Sequence, residues 1–195
     1  MPTVITLAVE GMVDAAVAGR VCDHLGLIPG PVYGNRGKNN LDKRLAGFNN
    51  AARLAPWLVL RDLDHDADCG PDLVRQILPD PAERMVLRVV VREVESWLLG
   101  DSERFSAYFA VPKAIIPSQP EELDDPKAEV IRLIQRSRRK AIRADMLPIP
   151  HGARAVGPSY ASRMAEFAET TWRPDVAAMR CDSLRRCIQR LREWV

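Results

Sequence analysis

The sequence predicts an α/β fold, a parallel sheet flanked by helices and continued by a mainly helical C-terminal extension. Three observations lead there. Over residues 1–100, short apolar runs alternate with stretches of helical period. Over residues 101–195 only helical patterns recur. The runs at Val4, Trp57 and Val86 each run out in an acid, Glu10, Asp62 and Glu95 respectively. In parallel α/β sheets, ligand sites form at the carboxyl ends of strands.

Val4 to Val9 is β-branched and apolar with little alternation, as expected of a strand covered on both faces. It closes at Glu10-Gly11. Val13, Val17, Val21 and Leu25 recur every four residues and predict a helix with one apolar stripe, closed by Gly26 and Pro29-Gly30. Pro31 to Tyr33 reads as a short edge strand, and a polar loop runs from Gly34 to Asn40. Leu41, Leu45, Phe48 and Ala52 mark a second helix. Trp57 to Leu60 is the next buried strand, and Pro71 to Leu78 a short helix stopped by Pro79 and Pro81. Val86 to Val91 is a further strand, running out at Arg92-Glu93-Val94-Glu95. Strands alternating with helices favour right-handed crossovers and therefore a parallel sheet.

In the second half, Trp97 to Leu99 and Phe105 to Phe109 read as short helices, and Pro112 to Pro126 as an irregular connection. Asp125-Pro126 suits the start of a helix continuing through about Ala144, which Pro148 and Pro150 break. Pro158 to Thr171 and Asp182 to Val195 complete the helical set. No repeat or long linker interrupts the chain, so 1–195 reads as a single domain with its core in 1–100.

A hydrophobic fraction of 47% with 28% charged residues is that of a soluble globular protein. The net charge of +2 gives no strong overall field, so any basic patch must be local. No apolar run approaches a membrane span, and the opening MPTVITLAVEG lacks the basic region of a secretory leader. Four cysteines without a CxxC pair and only three histidines offer no zinc site. A reduced, cytoplasmic protein is the simplest expectation.

The chemistry concentrates in WLVLRDLDHDAD, residues 57–68. Residues two apart in an extended chain project to one side about 6.6 Å apart, so Asp62 and Asp64 are expected to aim at one point. Two carboxylates so placed repel unless a cation lies between them or one is protonated. An all-oxygen set suits Mg²⁺ or Mn²⁺ better than zinc. An acidic surface loop would have the same local sequence. A calcium EF-hand is excluded by Ala67 and Leu73 at its sixth and twelfth positions, and a haloacid-dehalogenase motif by Asp66 where Thr or Val belongs. For a phosphate backbone the candidates are Arg36 and Lys38 in the Gly/Asn loop, and Arg132, Arg136, Lys140 and Arg143, spaced as one helical stripe. A solvated helix face carries the same pattern. Trp57, Trp97, Phe48 and Phe167 read as core, and His65 as an incidental loop residue.

Val9-Glu10-Gly11 and Asp62-Leu63-Asp64 together resemble the Toprim domain, whose first strand ends in glutamate and a later one in Asp-x-Asp. More narrowly, VEGMVDAAV, LRDLDHDADC, VREVESWLLGD, DDPK and GPSYASRMAEFA, in that order, resemble a bacterial domain-of-unknown-function family. That family is grouped with the Toprim parts of the overcoming-lysogenisation-defect (OLD) nucleases and related phage-defence proteins. The resemblance covers nearly the whole chain. It implies a Rossmannoid Toprim fold and a Mg²⁺- or Mn²⁺-dependent site that hydrolyses phosphodiester bonds of DNA or RNA, with phage defence as its setting. Glu10, Asp62 and Asp64 match the metal-binding acids, and Glu95 the acid carried in Glu-x-Trp-Leu-Leu. Glu93 is the weaker match, because strand alternation points it away. Lys127 matches the lysine near the scissile phosphate. Cys181-Asp182-Ser183-Leu184 departs from the family's serine-proline-serine-leucine turn. The rival expectation is a non-catalytic Toprim-like module that docks to an ATPase encoded nearby.

Overall fold

The computed structural model describes residues 2–151 and 153–195. Within them β1 (Val4–Val9), β2 (Ile28–Gly34), β3 (Trp57–Asp62) and β4 (Met85–Val90) pair in the order β2-β1-β3-β4, every pair parallel. The crossovers run through α1 (Met12–His24), α2 (Lys38–Ala51) and α3 (Gly70–Ile77). From β1 the chain winds one way to β2, and from β3 the other way to β4. The carboxyl ends of β1 and β3 therefore flank the point where the winding reverses, the place where such sheets open a crevice.

The remaining chain forms α4 (Glu95–Gly100), α5 (Ser102–Phe109), α6 (Pro126–Ile134), α7 (Lys140–Met146), α8 (Tyr160–Thr170), α9 (Pro174–Ala178) and α10 (Asp182–Leu191). Short 3-10 turns lie at Lys113–Ile115, Pro120–Glu122 and Arg192–Trp194. No helix of the described residues is long and apolar enough to cross a membrane.

Strand alternation divides the core. Ile5, Leu7, Val9, Leu58, Leu60, Val86 and Val90 face α1 and the helices of the second half, in one continuous cluster that runs on to Leu191. Ala8, Trp57, Val59, Met85 and Leu87 face the other way, against Leu41, Leu45 and Phe48 of α2. The helical second half is thus a layer of the fold, sharing its core with the sheet. Buried tryptophans fasten it, because an indole N–H out of water needs an acceptor. Trp172 Nε1 donates to the Trp97 carbonyl at 3.2 Å, and Trp97 Nε1 donates to Ser183 Oγ at 2.7 Å. Trp57, Trp97, Phe48 and Phe167 are all core residues, as expected from their sequence context. The cysteines are unpaired, with Cys22, Cys181 and Cys187 buried and Cys69 exposed.

The structure corrects two local readings and adds one helix. β2 begins at Ile28, so Pro29 and Gly30 lie inside an edge strand, where a missing outward N–H is tolerated, and do not close α1. The single helix expected from Pro126 to Ala144 is two, α6 and α7. Between them Ser137 is buried, its hydroxyl donating to the Phe109 carbonyl at 2.6 Å, while the Arg138 N–H donates to the Ala110 carbonyl at 3.0 Å. These bonds to α5 and its end replace helical ones. The segment 174–178, for which no element was expected, is α9.

Gly34 ends β2 with φ 88°, and a Cβ there would collide with the Val9 carbonyl oxygen beside Glu10. Gly34→Ala should therefore lower stability by about 2–3 kcal/mol, a fall of roughly 5–10 °C in Tm. Gly37→Ala, with φ 80° but open space around the added methyl, should lose less. Thermal unfolding of the two variants side by side checks this ordering.

Candidate active site

Asp62 is the last residue of β3 and continues the alternation of Leu58 and Leu60, which turns it toward α1. Glu10 follows β1 directly, and the Asp62 N–H donates to its Oε1 at 2.9 Å, so the two strand ends are stitched together. Asp14 lies four residues after Glu10 in the first turn of α1, and Glu95 is the first residue of α4. Asp14, Asp62 and Glu95 are 6%, 9% and 2% exposed. Three carboxylates are thus packed into the α1 side of the sheet's carboxyl edge, with Glu10 beside them.

Burial disfavours the charged form of each, and their mutual repulsion adds to it. Asp14 is pushed up to about 7, first by burial and then by Glu95 and Glu10. Asp62 is raised well above the carboxylate range by burial, then by Asp14, Glu95 and Glu10, against the pull of Lys127. Burial also raises Glu95, opposed mainly by Lys127. It raises Glu10 against the Asp62 N–H and Arg61. Oδ1 of Asp14 and Oδ1 of Asp62 are both buried without a hydrogen-bond partner. A buried carboxylate oxygen left so is costly unless a proton or cation meets it.

The second half of the chain supplies the counter-groups. Lys127, in the first turn of α6, donates its N–H to Glu93 Oε2 at 2.9 Å and its Nζ to Glu93 Oε1 at 2.7 Å. Its Nζ also stands 3.8 Å from Glu95 Oε1. The Tyr160 hydroxyl, at the start of α8, donates to Glu95 Oε1 at 3.0 Å. On the opposite face Arg61, 3% exposed, holds Asp42 of α2 with Nε at 3.1 Å and Asp66 with Nη2 at 2.5 Å. Its Nη1 lies 3.4 Å from Glu10 Oε1.

Glu10, Asp62, Glu95 and Lys127 are thus brought to one place, while Asp64 stands near enough for its charge to act on Glu10 but has its carboxylate held by Lys38. β3 ends at Asp62, and Asp64 takes a left-handed backbone with φ 46°, so alternation no longer governs where it points. Its Oδ2 accepts from Lys38 Nζ at 2.8 Å. Among the described residues, no three Asp, Glu, His or Cys side chains stand close enough to form a finished coordination shell. β4 ends at Val90, so alternation fails for Glu93 too, which takes the shorter contact with Lys127.

The phosphate candidates divide in the same way. Arg36 is exposed in the loop after β2, which is tied to the end of β1 by Asn35 N–H to the Val9 carbonyl and Gly37 N–H to the Glu10 carbonyl, both 2.9 Å. Lys38 opens α2 at the same edge, already engaged with Asp64 and Asp66. The stripe of Arg132, Arg136, Lys140 and Arg143 is broken by the gap between α6 and α7. Arg132 pairs with Glu129, and Arg143 bonds the Ser137 carbonyl.

Sequence reasoning overlooked Asp14, Arg61 and Tyr160. Asp14 stands one helical turn after Glu10 across the strand-to-helix junction, a spacing that could have singled it out. Arg61 is the neighbour that alternation sends to the face opposite Asp62. Nothing in the spacing marks Tyr160. Comparison of the chain with protein-family models, curated proteins and solved structures found no match.

A carboxylate whose folded pKa is raised stabilises the fold fully below its unfolded pKa, and that contribution is lost as pH rises through the folded value. For Asp14 the window runs from its ordinary 3.8 to about 7. Metal-free protein should therefore lose Tm as pH rises from about 4 to about 7. Asp14→Asn should flatten that fall and raise Tm at neutral pH. Thermal unfolding in chelator across this range checks the sign.

Proposed function

We propose that the chain is a divalent-cation-dependent phosphodiesterase of nuclease type. The observation that carries this reading is the pair of buried, unpartnered oxygens on Asp14 and Asp62, set among Glu10 and Glu95 where the winding of the sheet reverses. An all-oxygen donor set with orphaned anionic atoms fits Mg²⁺ or Mn²⁺ and offers nothing to a thiophilic metal. Such an ion, when bound, neutralises a phosphodiester and lowers the pKa of water. Glu10, Asp14 and Asp62 would hold it.

The chain's own contributions follow from its bonds. Tyr160 and Lys127 both meet Oε1 of Glu95 and hold it in place. Lys127, shared between Glu93 and Glu95 and kept charged by them, presents a fixed positive group to charge developing on a phosphate oxygen. Arg36 and Lys38 flank the same sheet edge and suit a phosphodiester backbone. The resemblance of the strand-end motifs to Toprim nucleases supports this reading. It also supplies its setting, phage defence beside a partner ATPase.

Purified protein should nick plasmid or cut single-stranded DNA or RNA with Mg²⁺ or Mn²⁺ and stop with EDTA. Asp62→Asn should reduce the rate at least a hundredfold, since losing metal-assisted stabilisation costs several kcal/mol and each ~1.4 kcal/mol is tenfold. Lys127→Ala should lose cleavage yet retain Mn²⁺ binding by titration calorimetry, because its role is on the phosphate. Asp64→Asn should cost less than Asp62→Asn, being bound to Lys38. Cleavage that survives Asp62→Asn, or no cleavage of any nucleic acid with either metal, would overturn the assignment, the latter in favour of a docking module.

A further inference from the structure

The two edges of the sheet are built differently. β2 carries Pro29 and Pro31, which have no N–H to offer a further strand. β4 forms the other edge and holds no proline. Its register with β3, anchored by Trp57 N–H to the Arg84 carbonyl and Leu63 N–H to the Val90 carbonyl, turns the peptide groups of residues 84, 86, 88 and 90 inward. The N–H and C=O groups of Leu87 and Val89 therefore point out of the sheet, and no hydrogen bond from another described residue reaches them.

This edge lies at the bottom of a groove. α3 packs over β4 on one face, where Gly70 comes so near that a Cβ on it would stand 3.3 Å from Val89 Cβ. α10 packs on the other face. Between them runs a cavity of about 630 Å³ along Leu87, Arg88, Val89 and Val91. Leu87 and Val89 are only 6% and 8% exposed, so the free ladder groups sit low between two walls. From residue 87 to 91 the edge is about 13 Å long, enough for three or four residues of a partner strand.

Asp68 lines the rim of the groove with an exposed carboxylate, and the unmet charge that is buried in it is positive. Arg75 and Arg186 line it but are paired with Asp72 and Asp182. Glu121 is committed to the N–H groups of Asp182 and Ser183. Arg88 is the exception, its buried Nε having no partner. We propose that this groove binds an extended segment of a partner protein, which adds as a strand to β4 and places an acidic side chain on Arg88. Main-chain pairing gives such an interaction its affinity and the side-chain contact its selectivity. The carboxylate site plays no part in it.

The test uses the full chain and a set of fluorescein-labelled hexapeptides of alternating Thr and Val, with one Glu placed at each position in turn. One or more should bind, and replacing that Glu by Lys, or Arg88→Gln in the protein, should weaken binding by about tenfold or more, the loss of a charge-assisted hydrogen bond. The amide hydrogens of Leu87 and Val89 should exchange at least about tenfold more slowly in the complex, and N-methylation of alternate peptide amides should abolish binding. If Arg88→Gln does not fold, the exchange and N-methyl experiments on the unaltered protein still decide. Absence of binding by every peptide overturns the proposal. So does binding that leaves the Leu87 and Val89 amides unprotected, or protection reproduced by inorganic phosphate alone, which would make the groove an anion pocket.

Discussion

Asp14, Asp62 and Glu95 are held together out of water with one lysine facing them, and much of the architecture follows from making that arrangement tolerable. Buried like charges push one another toward the neutral form, and a fold keeps them close only if its packing outweighs the repulsion. Here the packing is the large apolar cluster on the α1 face, which includes Val17, Leu60, Trp97, Phe105, Phe167 and Trp172. The acids sit at the upper rim of that cluster, at the ends of elements fixed by it. Their backbone positions are set by β1, β3, α1 and α4, none of which can shift without disturbing the core.

The second half of the chain matters for the same reason. Lys127 and Tyr160 approach Glu95 from α6 and α8, and both helices are anchored by residues of the shared core, Val130 and Leu133 in one and Met164 and Phe167 in the other. Trp97, two residues beyond Glu95, is tied through its indole to Ser183, whose hydroxyl and N–H meet Glu121. Asp101, fully buried at the end of α4, is bound by Arg173 at 2.8 Å. The site is consequently a joint product of sheet and helical layer.

The fold was legible because burial on both faces leaves a plain mark, short apolar runs between helical stripes, and β1, β3 and β4 all carry it. Glu10, Asp62 and Glu95 were legible because strand ends are where side chains become free for chemistry. What the sequence hid depended on where strands stop. Alternation was carried beyond Asp62 and Val90, into residues that had already turned, so it could not place Asp64 and it misdirected Glu93. The basic stripe failed for a tertiary reason, since the bonds of Ser137 and Arg138 to the end of α5 divide α6 from α7. Asp14 was hidden by its setting in an otherwise apolar helix start, where an acid also reads as a favourable partner of the helix dipole.

Burial raises the thiols of Cys22 and Cys187 to about 12 and that of Cys181 further, so none forms thiolate at neutral pH. Cys69 is exposed at the entrance to α3, on the wall of the β4 groove and a few residues past Asp62. Among the described residues the chain thus offers thiol-directed reagents a single exposed cysteine. A fluorophore or spin label would settle there without any engineered cysteine, in reach of both the carboxylate edge and the open strand.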